Sequence, residues 1–180
     1  MSKSEKNKPA FLKPRKHVFS RQAFKRARKA KVFGMTTSSG KVLVTPSPLN
    51  PKSSDWIKIL QSKVVPFLRE AFPRRRTFVL LLDGEKIFHT EEAVAARKRA
   101  GVKLLPDWPS FSPDLNPQEN VWGWAERELR RKEHKSDSFS VFRRRIIAAS
   151  KDYPASEKLV PSLEERVAKC LRRKGANVGK

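Results

Sequence analysis

One cysteine, Cys170, stands among 180 residues. It has no internal partner, so no intramolecular disulfide can staple the fold, and no cluster of zinc ligands accompanies it. A reducing intracellular compartment is the expectation for such a chain. Long apolar runs are missing too. The most apolar stretch, Phe78-Val79-Leu80-Leu81-Leu82, falls well short of the roughly 20 residues that cross a bilayer. The N-terminus shows no signal-peptide pattern, and no internal repeat is visible. Acids are scarce: 18 Asp and Glu face 41 Lys and Arg, a formal charge of +23. That imbalance says little about fold and much about partners. It points first to nucleic acid and second to an anionic membrane surface. The length suits one ordinary domain with a real core.

Composition shifts along the chain. Residues 1–30 hold eleven Lys or Arg and one acid, Glu5, without a sustained apolar period. They read as a flexible basic arm. The run Lys25-Arg26-Ala27-Arg28-Lys29-Ala30-Lys31 fits a nuclear localisation signal, a phosphate-binding patch or a solvated charge run. Order is expected from near Val32. Lys31–Thr36 and Lys41–Thr45 are β-prone and flank Ser38-Ser39-Gly40, the pattern of a hairpin. Trp56, Leu60, Val64, Phe67 or Leu68, and Ala71 recur at helical spacing over Ser53–Phe72, with Ser53 or Ser54 as cap. Pro66 should kink or split that helix.

Thr77–Leu82 is apolar on both alternations, as in a strand buried on two faces. Thr90 caps a helix to Ala100, and Gly101 ends it. Val102–Leu105 is a short strand. A proline-rich loop, Pro106–Pro117, leads into a helix reaching about Glu133. Further helices are expected over Ser138–Lys151 and Ser156–Arg173. The alternation of helix and strand favours a mixed sheet covered by helices.

Two carboxylates stand out. Asp83 ends the most apolar strand, where α/β ligand sites tend to lie. The same residue opens an Asp-Gly turn, a common turn dipeptide. Glu119 falls on the first turn of the helix that Asn116 caps and Pro117 begins. It suits a capping box, but it also flanks the stripe of Val121, Trp122, Ala125 and Leu129 and can look toward the sheet rim. As a pair they fit Mg²⁺, which takes one or two carboxylates and completes its shell with water and phosphate. Two such ions about 3.5–4 Å apart can drive an in-line displacement at phosphorus.

Leu81-Leu82-Asp83-Gly84 with His89-Thr90, followed by Leu105-Pro106-Asp107-Trp108-Pro109-Ser110-Phe111-Ser112-Pro113-Asp114-Leu115-Asn116-Pro117-Gln118-Glu119-Asn120-Val121-Trp122, resembles the DDE catalytic domain of mariner-superfamily transposases. The resemblance runs from about Val32 to Lys132. Val32-Phe33-Gly34-Met35 and Ser39-Gly40-Lys41 resemble that family's second and third strands. It implies an RNase H-like α/β fold: a mixed sheet flanked by helices, here lacking the first strand, with extra C-terminal helices. The expected organisation is a basic arm at 1–30, a partial catalytic domain at 31–134 and a basic helical extension at 135–180.

The resemblance further implies DNA strand cleavage and joining with Mg²⁺ or Mn²⁺, Asp83 and Glu119 being the second and third catalytic acids and metal ligands. His89 matches a histidine that follows the second acid, in a structural or DNA-contacting role. Thirty-five residues separate Asp83 from Glu119, one more than the family's usual gap, and Gly84 stands where Asn is common. The first catalytic acid has no match, because residues 1–31 offer only Glu5. Little or no strand transfer is therefore expected from this chain alone, and a non-catalytic or domesticated DNA-binding remnant is the alternative.

Arg74, Arg75 and Arg76 precede the central strand, and Arg130, Arg131 and Lys132 end a helix. Such clusters neutralise phosphates without reading sequence, or they solvate a surface. DNA is the expected partner, a homodimer is possible through the apolar face of Ser138–Lys151, and no membrane contact is expected. The expected location is the nucleus in a eukaryote, otherwise the cytoplasm or nucleoid.

Overall fold

Period-two alternation in one strand organises the structure. The computed structural model describes residues 18–20, 29–106, 108, 112–131, 138–154 and 158–175. In β2 (Lys29–Thr36), Ala30 and Val32 enter one apolar core, while Phe33 and Met35 pack against another. β1 (Val18–Ser20) pairs antiparallel with Lys29–Lys31, and β3 (Val42–Ser47) pairs antiparallel with Lys31–Thr36. The expected hairpin is present: Thr37 N–H donates to Lys41 O at 2.9 Å across the Ser38-Ser39-Gly40 turn. β2 begins two residues earlier than the sequence suggested, and β3 begins one residue later and ends two later. Within the stretch read as a basic arm, Val18–Ser20 and Lys29–Ala30 are strand; the rest of it lies outside the described residues. Pro46 is accommodated because β3 is an edge strand, where a missing N–H is tolerated.

The helical stretch after β3 comes in three pieces. α1 (Ser53–Ile59) is capped from Lys52, whose backbone N–H donates to Asp55 Oδ2 at 2.9 Å. Asp55 thus does the work expected of Ser53 or Ser54. A π-helical segment, Leu60–Val64, follows, and α2 (Val65–Ala71) completes the run. Val65 N–H bonds to Leu60 O, five residues back. The widened turn sits directly before Pro66, which has no N–H to continue an α-helical ladder. The foreseen interruption is therefore a π turn. Trp56, Leu60, Val64, Val65 and Leu68 all point into the first core. Each such side chain contributes about 1.5–3 kcal/mol by leaving water.

β4 (Phe78–Leu80) and β5 (Val102–Leu104) form a parallel pair, with α3 (Glu91–Arg99) between them in sequence. Thr90 Oγ1 accepts from Ala93 N–H at 3.3 Å, and Glu91 and Glu92 occupy the positive first turn. Gly101 ends the helix at φ +71°, where a Cβ would lie 2.7 Å from Arg76 O. The expectation of a strand buried on both faces is corrected. Phe78 and Leu80 are buried, but Val79 is 62% exposed, and the ladder spans three residues. Phe78 and Leu80 join the core built by α1, α2 and α3, which covers one face of the ribbon.

α4 (Gln118–Arg131) and α5 (Phe139–Lys151) pack together over the other side of the hairpin. Trp122, Ala125, Phe142 and Ile146 share the second core with Ala30, Val32 and Val44. α6 (Ser162–Arg172) starts six residues later than expected, after a turn at Leu159–Pro161, and none of its residues is buried. Among the described residues the strands pair as two sheets, β1-β2-β3 and β4-β5, where one mixed sheet was expected. Among the described residues no strand bridges β2 to β4. No described helix is long and apolar enough to cross a membrane.

Candidate metal centre at the cavity between the sheets

A cavity of about 560 Å³ separates the two sheets. Lys31–Ser38 along β2 and Thr77–Asp83 along β4 form facing walls, and Asn116–Glu119 with Trp122 close one side. Asp83 and Glu119, singled out in the sequence, both line this cavity.

Asp83 reaches its place because the chain leaves β4 through Leu81 and Leu82 and then turns at Gly84. It stands at the cavity mouth, open to solvent on one side and walled by protein on the other. Partial withdrawal from water is the largest cause raising its carboxyl above the ordinary 3.8. The charge of Glu85 raises it further, and Glu119 adds to the same effect. A backbone hydrogen bond from Glu85 and the charge of Lys31 work in the opposite direction. The Asp-Gly turn and the ligand reading therefore coexist: the carboxyl accepts from the turn while facing Glu119. His89 Nε2 lies 3.3 Å from the Asp83 carbonyl oxygen. With the proton on Nε2, the ring donates to that carbonyl and braces the turn.

Glu119 is placed by the start of α4. Asn116 Oδ1 accepts from Gln118 N–H at 3.0 Å, the cap the sequence foretold. Asn116's own N–H donates to Ser112 O at 3.2 Å, so that donor is met by the Ser112 carbonyl. Glu119 sits half-buried on the cavity wall.

Sequence reasoning missed two residues here. Lys31 ended a charge run on paper, yet its side chain is only 11% exposed and its Nζ lies 3.6 Å from Glu85 Oε1. Strand alternation turns it inward. Gln118 is buried and receives Thr36 Oγ1–H on Oε1 at 2.8 Å, tying α4 to the far part of β2. Its place directly after the Asn-Pro cap was the only signal.

Of the basic clusters, Arg74, Arg75 and Arg76 are exposed before β4, at its opposite end from Asp83, and Arg75 reaches the lining of the same cavity. Arg75 covers the Phe72 ring at 5.8 Å. Arg130 and Arg131 each pair with an acid of their own helix, Glu126 at 3.8 Å and Glu128 at 2.9 Å. Lys132 lies outside the described residues.

Asp83 thus feels two neighbouring carboxylates, Glu85 and Glu119, and one ammonium, Lys31, which itself pairs with Glu85. That local surplus of negative charge suits a hard divalent cation. Among the described residues no group of three or more His, Cys, Asp or Glu is drawn close enough to hold a metal unaided. The donor set therefore fits a hydrated Mg²⁺ or Mn²⁺ that takes further oxygens from water and phosphate.

The family described as DDE superfamily endonuclease matches residues 3–142. The Tc3 transposase of Caenorhabditis elegans is 29% identical over 160 residues, which is 88% of this chain and 47% of that protein. The Mos1 transposase catalytic domain, solved with Raltegravir and Mn, superposes with a TM-score of 0.68 at 16% identity, covering 88% of this chain and 82% of that one. The Mos1 paired-end complex with left transposon end gives a TM-score of 0.68 at 19% identity, over 97% of this chain and 50% of that one. The chain belongs to the DDE superfamily endonucleases. It has the RNase H-like fold of the Mos1 domain. The chain spans about half the length of the Tc3 relative, and the family match extends beyond the Val32–Lys132 stretch that carried the resemblance.

Proposed function

We propose that this chain carries part of the active site of a DNA-cleaving and DNA-joining transposase, with Asp83 and Glu119 as ligands for Mg²⁺ or Mn²⁺. The observation that carries the reading is convergence. Two acids with thirty-five residues between them in sequence line one cavity, close enough that the Glu119 charge raises the Asp83 carboxyl. A bound ion would polarise a phosphodiester and lower the pKa of a coordinated water. The chain's own contribution is to orient. The Asn116 cap holds Glu119, the Gly84 turn and His89 hold Asp83, and Lys31 offsets Glu85. DNA is the partner, through the exposed Arg74–Arg76 triplet and the overall charge of +23.

The reading includes low activity. None of β1 to β5 contains an Asp or Glu, and no acid occurs between Glu5 and Asp55. With no first acid supplied by these five strands, two carboxylates alone would misplace a second ion. The test is calorimetric titration of Mn²⁺ into the chain, its Asp83→Asn variant and its Glu119→Gln variant. Weak binding lost in either variant supports the site; unchanged binding in both removes it. Robust Mg²⁺-dependent nicking abolished by Asp83→Ala would overturn the low-activity part.

A second reading, a DNA-binding remnant without chemistry, is favoured by the lack of any acid on β1 to β5. Salt-sensitive DNA binding with no divalent-ion affinity would select it.

A further inference from the structure

We propose that Arg97 is a positioning residue for Asp83, acting through the Phe88 carbonyl and the His89 ring. Among the described residues Arg97 is the one charged side chain in the buried set, at 6% exposure. Its place in the helix explains the burial. Ala93, Ala96 and Arg97 are the buried residues of α3, and steps of three and four put them on one face. Ala93 and Ala96 join the first core. A large apolar side chain would suit the third place. A guanidinium stands there instead, and withdrawal from water pulls it below its ordinary pKa.

Little in the packing offsets that loss of water. No carboxylate pairs with Arg97 among the described residues, and its Nε finds no acceptor. Its hydrogen bond is to the Phe88 carbonyl oxygen, which accepts from Nη2 at 3.4 Å. Stability alone is served as well or better by an apolar side chain of that volume. What the guanidinium supplies, and an apolar side chain lacks, is a donor for that carbonyl.

The carbonyl belongs to a peptide plane that leads to Asp83. The Phe88 ring is buried in the first core, edge-on to Trp56 with centroids 4.8 Å apart. The Phe88–His89 peptide is planar and rigid, and it is held at both ends. Its N–H, that of His89, donates to Lys86 O at 3.0 Å. Its C=O accepts from Arg97. With the plane fixed, the His89 ring reaches back over the 3₁₀ turn Lys86–Phe88, and Nε2 lies 3.3 Å from the Asp83 carbonyl oxygen. Without the donor the buried carbonyl is unmet. The peptide then relaxes by turning that oxygen toward water, which swings His89 away from Asp83. α3 thus sets the turn that carries Asp83, although none of its residues lines the cavity.

The effect on metal binding rests on the proposed function; the hold on the Asp83 turn does not. The test uses the full chain with Arg97→Met, which keeps the length and loses the donor, and Arg97→Lys, which keeps a donor. In EDTA, Arg97→Met should melt no lower than the parent. Its His89 amide should nevertheless exchange at least tenfold faster, and the Glu85 amide, which serves the Asp83 carboxyl, at least threefold faster. Arg97→Lys should hold both amides within twofold of the parent. Mn²⁺ titration should show affinity reduced at least threefold by Arg97→Met and recovered by Arg97→Lys. Unchanged His89 exchange in Arg97→Met overturns the proposal. So does a lower melting temperature with exchange raised equally across α3 and β4, because Arg97 then only packs. Faster exchange at His89 with Glu85 and Mn²⁺ affinity unmoved refutes the reach to Asp83. If the parent itself binds no Mn²⁺, the proposed function falls, and the two amides still decide whether Arg97 positions the turn.

Discussion

Gly34→Ala tests the seam that positions Glu119. Gly34 sits in β2 against the Trp122 ring of α4, one turn beyond Glu119. A Cβ there would lie 2.5 Å from Trp122 Cζ2, nearer still to Cη2, and 2.9 Å from Gln118 Nε2. Ordinary carbon contacts are about 3.5–4.0 Å, so the helix must retreat by about 1 Å or the indole must leave its rotamer. Overpacking of this kind costs about 1–3 kcal/mol. Alanine recovers about 0.5–1 kcal/mol through lower unfolded-state entropy, leaving a net loss of about 1–2 kcal/mol. At about 2–4 °C per kcal/mol for a chain of this size, the melting temperature should fall by about 2–8 °C. Circular dichroism melts measure the fall, and Mn²⁺ titration should show weaker binding, because Glu119 moves with the helix start. Trp122→Phe in the same chain should recover part of the loss, a coupling that a double-mutant cycle isolates. If Gly34→Ala melts at or above the parent temperature, the close approach of α4 to β2 is not a constraint and the reasoning fails.

Three further outcomes are expected. Ile146→Ala empties a fully buried position between α5 and the hairpin and should cost about 2–5 kcal/mol in urea unfolding; a loss under about 1 kcal/mol would mean that α5 is not docked as described. Asp83 titrates above its ordinary value in the folded chain, so the folded state holds the extra proton between the two values and stability declines as pH rises through that window. In EDTA, Asp83→Asn should therefore stabilise the chain at pH 7, with the gain vanishing near about pH 4; equal melts at both pH values would contradict the desolvated carboxyl. Replacing Arg74, Arg75 and Arg76 with Ala should lower the salt slope of DNA binding by roughly 0.9 for each phosphate left unneutralised, and an unchanged slope would place the DNA elsewhere.

What could be read from the residues was mostly local. Thr90 and Gly101 bracket α3, Asn116 caps α4, and the π turn falls where Pro66 interrupts a helical period, because each depends on neighbours a few positions away. Asp83 and Glu119 could be paired on paper only through the family resemblance, since capping and turn chemistry explain each by itself. Long-range placement was not legible. Lys31 looked like surface charge until strand pairing turned it inward. Val79 looked buried because its neighbours are apolar, but whether anything covers a face is decided by elements distant in sequence. The pairing of the described strands was not legible for the same reason: alternating helices and strands announce layers, not which edges meet.

The π turn at Leu60–Val64 has a consequence for chain length. Val64 and Val65, neighbours in sequence, both enter the core that Trp56, Leu60 and Leu68 enter: the steps are four, four and four counted through Val64, but four, five and three through Val65. Removing one of the two valines leaves four, four and three, the spacing of a continuous α-helix. This helix therefore carries one surplus residue, held beside a proline where the ladder is already short of a donor. It is a point of slack, at which the chain can lose a residue and still bring Phe78, and Asp83 behind it, to the same place.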